Sequence, residues 1–443
     1  MIDAITRITS ISGDDESGNW RLGSGLTYLR ACFLIFLINF GGSAFSAELL
    51  PSYKFENGNW YDGESFKKEV VYVANWIISR VSPGSVGHII DLNNAYVVPA
   101  FGEAHSHRPA NVERVLQDNE FFLGAGIFYV MNHGSLSKYH ATLVDQLSLP
   151  GRIDVTFSNA IVSSSQSHSV DLWQRLLDRG AFPDTSLEDL DGEAFIIIDT
   201  AADMQRRWPA VLASRPEFIK IMLQHSDEYE IRHSDIQYFG DSGLDPALIP
   251  DIVERAHSEG LRVSAHIESA ADFRAAVTAG VDVIAHLPGY DVALDDDIAR
   301  YRLSPDDAEL AASRDVVVLT TTLLSMDRAE LEPERLKRMI QNHIENLRLL
   351  NDTGVRLAVG SDQFSKNSID ELMNLASLGV FDNASLLNMI SSVTPLAIFP
   401  DRQIGSLADG AEANFLILDS NPLDNIGNVK NIRMRVKDGI FLQ

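Results

Sequence analysis

The clearest periodicity in the chain runs from Asp245 to His286, where apolar positions three and four apart alternate with short β-branched runs. A helix is predicted through Ile252, Val253 and Ala256, stopping at Gly260, with a strand at residues 261–267 after it. A second helix, 270–279, stops at Gly280, and 281–286 reads as the next strand. Glycine just past a helix supplies its left-handed cap. Alternation of helix and strand implies a parallel sheet, because parallel neighbours need a crossover. Further strands are predicted at 127–131, 153–157, 218–222, 316–320 and 356–360, and the β-branched and aromatic run that begins at Ala95 gives one more. Eight strands close a (β/α)8 TIM-type barrel. That α/β barrel is the predicted fold, with a doubly wound open sheet as the alternative. Residues 170–215 hold more helix than one crossover needs and are read as an insertion, with 195–198 as an extra strand.

On either side of this region the pattern is β-like. Residues 70–78 form a strong strand candidate, with Pro83-Gly84 and Asn93-Asn94 as turns, and no helix of useful length fits before Ala95. After Pro395 two strands are predicted, 415–419 and 432–436, separated by the turn Asn421-Pro422. The two β-rich ends can pair beside the barrel.

Ahead of all this, residues 31–40 form a short apolar run, preceded by Arg30 and followed by small residues up to Ala47. A positive flank, a short apolar core and a small-residue exit make a secretory signal. The run is too short for a comfortable membrane span. Residues 1–47 are therefore read as a signal peptide with an extended polar leader, Met1 being an over-extended start, and the mature chain as periplasmic or secreted. A cytoplasmic protein follows if the run is not a signal. The single cysteine, Cys32, lies within the run. Cleavage near Ala47 leaves no thiol for disulfides, nucleophilic catalysis or zinc ligation.

The 443 residues, 45% hydrophobic and 22% charged, are those of an ordinary globular protein with room for a large core. The formal net charge of −26 disfavours nucleic acid and anionic membranes as partners. A small-molecule substrate is expected, without a stable membrane anchor, and homo-oligomerisation is left open.

The chemistry concentrates at the ends of the predicted strands. The run from Ala95 leads into His105-Ser106-His107, and alternation on a strand puts both imidazoles on one side. Lys220 lies in the apolar strand 218–222, where an ammonium is costly unless it is paired or chemically changed. His266 ends the fifth strand, His286 the sixth, and Asp362 follows the eighth. Each has an ordinary reading alone: a satisfied core histidine, a snorkelling lysine, a helix-capping aspartate. Six together at the end of a barrel where active sites sit point to a metal site of imidazole and carboxylate ligands.

In this order of residues the chain resembles the amidohydrolase superfamily, and is similar in detail to its imidazolonepropionase-like and dipeptidase-like branches. Thr394-Pro395 and residues 404–415 look like the superfamily's closing segment. Two departures are Glu103, where an aspartate often precedes the HxH, and Asn414, where an aspartate is usual. The resemblance implies a barrel at 95–395 and a small β-sandwich from residues 48–94 and 396–443. It implies two divalent metal ions, zinc by preference. His105, His107 and Asp362 would hold the first and His266 and His286 the second, with Lys220, carboxylated by carbon dioxide, bridging them. It further implies a hydroxide between the metals that attacks a carbonyl, with Asp362 as the catalytic acid and base.

The expected function is hydrolysis of a carbon–nitrogen bond in an amide or cyclic amide. Dipeptidase activity or lactone and ester hydrolysis would use the same residues. A mononuclear deaminase would usually lack the lysine and carry a glutamate three residues beyond the fifth-strand histidine; here Glu268 is two beyond His266. A metal-free binding protein would be expected to have lost ligands. His133, His168, Tyr229 and Arg232, on loops at the same end, are candidate substrate contacts.

Overall fold

The computed structural model describes residues 51–289, 292, 297–329 and 332–442. The signal segment at 1–47 lies outside the described residues. Eighteen strands fall into three sheets among those described.

The first sheet is built from both ends. Its strands from the early part are β1 (Tyr53–Tyr61), β2 (Phe66–Ala74), β3 (Ile77–Ser79), β4 (His88–Asp91) and β5 (Tyr96–Pro99). Asn75 and Trp76 turn β2 into β3 with φ of 52° and 66°, so the stretch predicted as one strand at 70–78 is a hairpin. The sequence reading also ran β5 directly into the HxH strand. The structure breaks it at Ala100, whose N–H donates to Asn414 O at 3.2 Å, and places its first half in the end sheet.

The parallel strands follow in order: β6 (Phe101–Ser106), β7 (Ile127–Asn132), β8 (Asp154–Phe157), β9 (Ile161–Ser163), β10 (Phe195–Ile197), β11 (Phe218–Met222), β12 (Arg262–His266), β13 (Val283–Ile284), β14 (Val317–Leu319) and β15 (Arg356–Ala358). One sheet runs β6-β7-β8, the other β10-β9-β11-β12-β13-β14-β15, parallel throughout. Backbone hydrogen bonds cross both seams between them: Ala104 N to Val359 O at 2.9 Å, and Glu217 N to Phe157 O at 2.8 Å. The extra strand predicted at 195–198 is β10, and three helices, His168–Asp178, Leu187–Leu190 and Ala201–Ala213, fill the insertion.

Three strands complete the end sheet: β16 (Phe415–Leu418), β17 (Ile432–Lys437) and β18 (Ile440–Leu442). β16 pairs antiparallel with β5, giving the order β18-β17-β16-β5-β1-β2-β3 with β4 beside β1. The described ends thus share one mixed sheet, where the sequence reading expected a sandwich. Its buried face carries Phe55, Trp60 and Phe415, with ring centroids 5.4–5.9 Å apart in edge-on arrangement.

The helices on the parallel strands follow their caps. Ser269 accepts from Asp272 N to start the helix Ala270–Ala279, and Gly280, at φ 90°, ends it. Among the described residues no helix is long and apolar enough to cross a membrane.

Candidate metal centre

The strand ends bring the expected side chains together. β6 carries His105 and leads directly into His107, whose Nε2 atoms lie 3.6 and 3.3 Å from Asp362 Oδ1. The His286 ring lies 4.6 Å from that of His105 and 4.7 Å from that of His266. Lys220 Nζ is 3.2 Å from His133 Nδ1, and the His133 ring stacks on His105 at 4.0 Å. His105, His286 and Asp362 offer ligand atoms within 4.8 Å of one another and are all buried.

Backbone geometry aims these groups. Asp362 adopts a left-handed φ of 50°, and its N–H donates to His105 O at 2.8 Å, tying the end of β15 to the end of β6. Glu103 sits beneath the same seam, fully buried, accepting from Ser361 N at 2.7 Å, Ser361 Oγ at 2.9 Å and His105 N at 3.2 Å. Burial pushes its carboxyl up to about 8 against those donors. Thr321, after β14, is also left-handed (φ 42°), costly for a β-branched residue, and its hydroxyl is 2.9 Å from His286 Nδ1. Sequence reasoning missed Thr321; the run Thr320-Thr321-Thr322 at the seventh strand end was its only signal.

The protonation pattern suits a cation. Burial holds the imidazoles of His105, His133 and His286 well below their ordinary pKa, so they are neutral. His105 Nδ1 is 3.1 Å from Ala285 O, and a carbonyl only accepts, so Nδ1 carries the hydrogen and Nε2 is a bare lone pair. Burial alone would raise the Asp362 carboxyl, but the imidazoles of His105, His107 and His286 outweigh it and hold the group well below the usual carboxylate range. Lone pairs on His105 and Asp362 therefore face each other with no hydrogen between them, which is what a divalent ion with N and O ligands satisfies. Burial also pulls Lys220 down to about 7, although Asp362 opposes it. At neutral pH much of this lysine is a free amine.

The candidate substrate contacts divide. His168 opens the helix His168–Asp178, and its ring lies parallel to that of His266 at 6.0 Å. Tyr229 lines a polar cavity of about 400 Å³ with Ser164, Asp199, Glu230 and Asp245. Arg232 is turned inward and held by Glu228 at 2.7 Å and by Asp241, so its charge is spent within the protein. His133 is fully buried with both ring nitrogens engaged, by Ala104 O at 2.9 Å and by Lys220. Glu268 Oε1 is 3.3 Å from His266 Nε2.

The profile of the amidohydrolase family matches residues 217–440, the half of the chain that carries Lys220, His266, His286 and Asp362. No curated protein matches. Among solved structures, an amidohydrolase aligns with a TM-score of 0.66 at 20% identity over 88% of this chain and 98% of that one. An ochratoxinase from A. niger aligns at 0.68 and 18% identity, covering 88% and 95%. A Xaa-Pro dipeptidase with methionine bound in its active site aligns at 0.68 and 15% identity, covering 88% and 100%. At these identities the likeness is one of fold. The chain belongs to the amidohydrolase family, and is a hydrolase of carbon–nitrogen bonds.

Proposed function

We propose that this hydrolase works through a two-metal centre held by His105, His107, Lys220, His266, His286 and Asp362, and cleaves the amide of a dipeptide, an N-acyl amino acid or a cyclic amide. The observation that carries this reading is that Lys220 and Asp362, from strands far apart in sequence, reach the same group of imidazoles. Relatives in fold that include a Xaa-Pro dipeptidase support a small peptide-like substrate.

The finer architecture belongs to the same reading. β6, β7, β8, β11, β12, β13, β14 and β15 form one closed barrel, supported by the hydrogen bonds across both seams. The barrel occupies residues 95–395, its wall starting after Ala100, and residues 48–94 with 396–443 form the smaller end domain. Residues 1–47 direct export, which N-terminal sequencing of protein recovered outside the cytoplasm would check.

Divalent ions, zinc by preference, would polarise the scissile carbonyl and acidify water when bound. The chain's own residues do the rest. His105, His107, His266 and His286 would hold the ions through ring nitrogens, and burial keeps His105 and His286 neutral, so these two present lone pairs without the repulsion that imidazolium would bring. Lys220, a partly free amine, can take up carbon dioxide and become an anion, which removes the cost of a buried ammonium. Asp362, ionised, accepts the proton of the attacking water and returns it to the leaving amine.

Metal analysis with a substrate screen tests this. About two equivalents per chain are expected, with turnover of dipeptides, N-acyl amino acids or cyclic amides that chelation abolishes and zinc restores. Lys220→Ala should lose metal while keeping the fold, and Asp362→Asn should lose at least about a hundredfold in kcat. One equivalent would favour a mononuclear deaminase, none a binding protein, and turnover of lactones alone an esterase. Unchanged kcat in either variant would remove the proposal.

A further inference from the structure

His133 sits beside the centre in a position that is neither a ligand nor a substrate contact. Its backbone N–H donates to Ser106 O at 2.9 Å as the chain leaves β7. The His105 ring stacks on it at 4.0 Å and 21°, and Phe218 meets it edge-on at 5.1 Å. Nε2 lies 2.9 Å from Ala104 O. Because a carbonyl only accepts, Nε2 carries the hydrogen, and in the neutral ring Nδ1 is an acceptor. The group placed against that acceptor is Lys220 Nζ, at 3.2 Å, in a pocket closed to solvent. Every degree of freedom of the imidazole is fixed by a neighbour, so the direction from which it takes a hydrogen of Lys220 is fixed too.

We propose that His133 is the positioning residue for carboxylation of Lys220, an inference that rests on the reading of Lys220 as a carboxylated ligand. In that step the free amine attacks carbon dioxide. A nitrogen–carbon bond forms, a π pair of the carbon dioxide moves onto oxygen, and one amine proton leaves to water. One N–H remains on the nitrogen, and His133 Nδ1 accepts it. That bond fixes the rotation about Cε–Nζ before and after the step, and so selects one orientation of the new carboxylate. Without His133 the amine would rotate freely, and the orientation would have to be imposed at each uptake.

Carbon-13 NMR of the purified full chain, equilibrated with labelled bicarbonate and zinc, reads the step directly through the carbamate resonance, alongside metal content. Wild type is expected to take the label at ambient bicarbonate. His133→Asn, which can place an amide oxygen where Nδ1 lies, should behave similarly. His133→Leu and His133→Ala, which offer no acceptor there, should need about tenfold more bicarbonate for half-maximal label, the worth of one buried hydrogen bond. Their metal content should be low at ambient bicarbonate and recover as bicarbonate is raised, a response that a merely damaged fold would not show. Two variants are used so that a fold lost in one leaves the other informative. Label and metal equal to wild type at ambient bicarbonate in either folded variant would overturn the role of His133 alone. Absence of label in wild type would instead remove the carboxylated Lys220, and this proposal with it.

Discussion

His105 can serve a cation only because Ala285 O occupies its Nδ1, and it is held in place from below by Gly360. A Cβ built on Gly360 would come 2.7 Å from His105 Cβ and 2.8 Å from His105 N, closer than real Cβ atoms approach, and neither neighbour is the flexible end of a side chain. The glycine is therefore required by close approach of two strand ends. Gly360→Ala should push the segment bearing Asp362 away from β6, separating His105 from Asp362 beyond their 3.6 Å. The expected result is loss of at least one metal equivalent and about a hundredfold in kcat/KM, with the melting temperature of the metal-free protein lowered by only a few degrees. Metal analysis and calorimetry on the same preparation check it, and full metal occupancy in the variant would contradict it.

At the scale of elements, several strand ends are anchored by side chains from neighbouring helices. Asp272, in the first turn of the helix Ala270–Ala279, accepts from Ser226 N at 2.7 Å and Ser269 N at 2.8 Å, joining the loop after β11 to the loop after β12. The helix Pro333–Asp352 turns Asn342, His343 and Asn346 inward: Asn342 Nδ2 donates to Pro288 O at 2.8 Å and Asn346 Nδ2 to Tyr301 O at 2.8 Å. These bonds hold the described parts of the loop that follows His286. Burial lowers His343 to about 4, so the folded chain binds its proton less readily than the unfolded chain, where the value is near 6.5. The folded pKa is the depressed one. Its contribution is therefore whole above about 6.5 and is lost as pH falls towards about 4, up to about 3 kcal/mol. Denaturation at pH 7 and pH 5 should show a smaller acid loss in His343→Gln than in the parent, and equal losses would contradict this.

Strand alternation and strand-end polarity were enough to single out His105, His107, Lys220, His266, His286 and Asp362, because those signals are local. The anchors were not legible, since Glu103 and Ser361 meet across 258 positions and nothing local marks either as the other's partner. The break at Ala100 was hidden for a related reason. Residues on both sides are buried and strand-forming, and only their different partners, β16 for β5 and β7 for β6, separate them. Arg232 misled because one of its two carboxylate partners, Asp241, becomes a neighbour only when the loop folds back, although Glu228, four residues ahead of it, was a local signal.

Across the whole molecule, the end sheet and the parallel strands are joined through an ion cluster at the opposite end of β8 from its histidine-side terminus. Asp154, the first residue of β8, takes Arg402 Nη1 at 2.8 Å and Lys437 Nζ at 3.1 Å, and Arg402 also pairs with Glu412. Lys437, in β17, is only 1% exposed, so its ammonium depends on Asp154 and Asp438 for charge compensation. A buried pair contributes little relative to apolar packing, but removing one partner leaves a desolvated charge and costs about 3–5 kcal/mol. Asp154→Asn preserves shape and removes the anion, so it isolates this effect. The melting temperature is expected to fall by roughly 5 °C, while metal content and kcat measured below the transition stay at parental values, because the cluster touches none of the six residues of the proposed centre. A double variant, Asp154→Asn with Lys437→Met, should regain part of the loss, since the stranded ammonium is gone. If the double variant is no more stable than the single one, the ion cluster is not what fastens the end sheet to the parallel strands, and other contacts, such as Arg435 Nε of β17 donating to Leu123 O at 2.7 Å ahead of β7, must carry that junction.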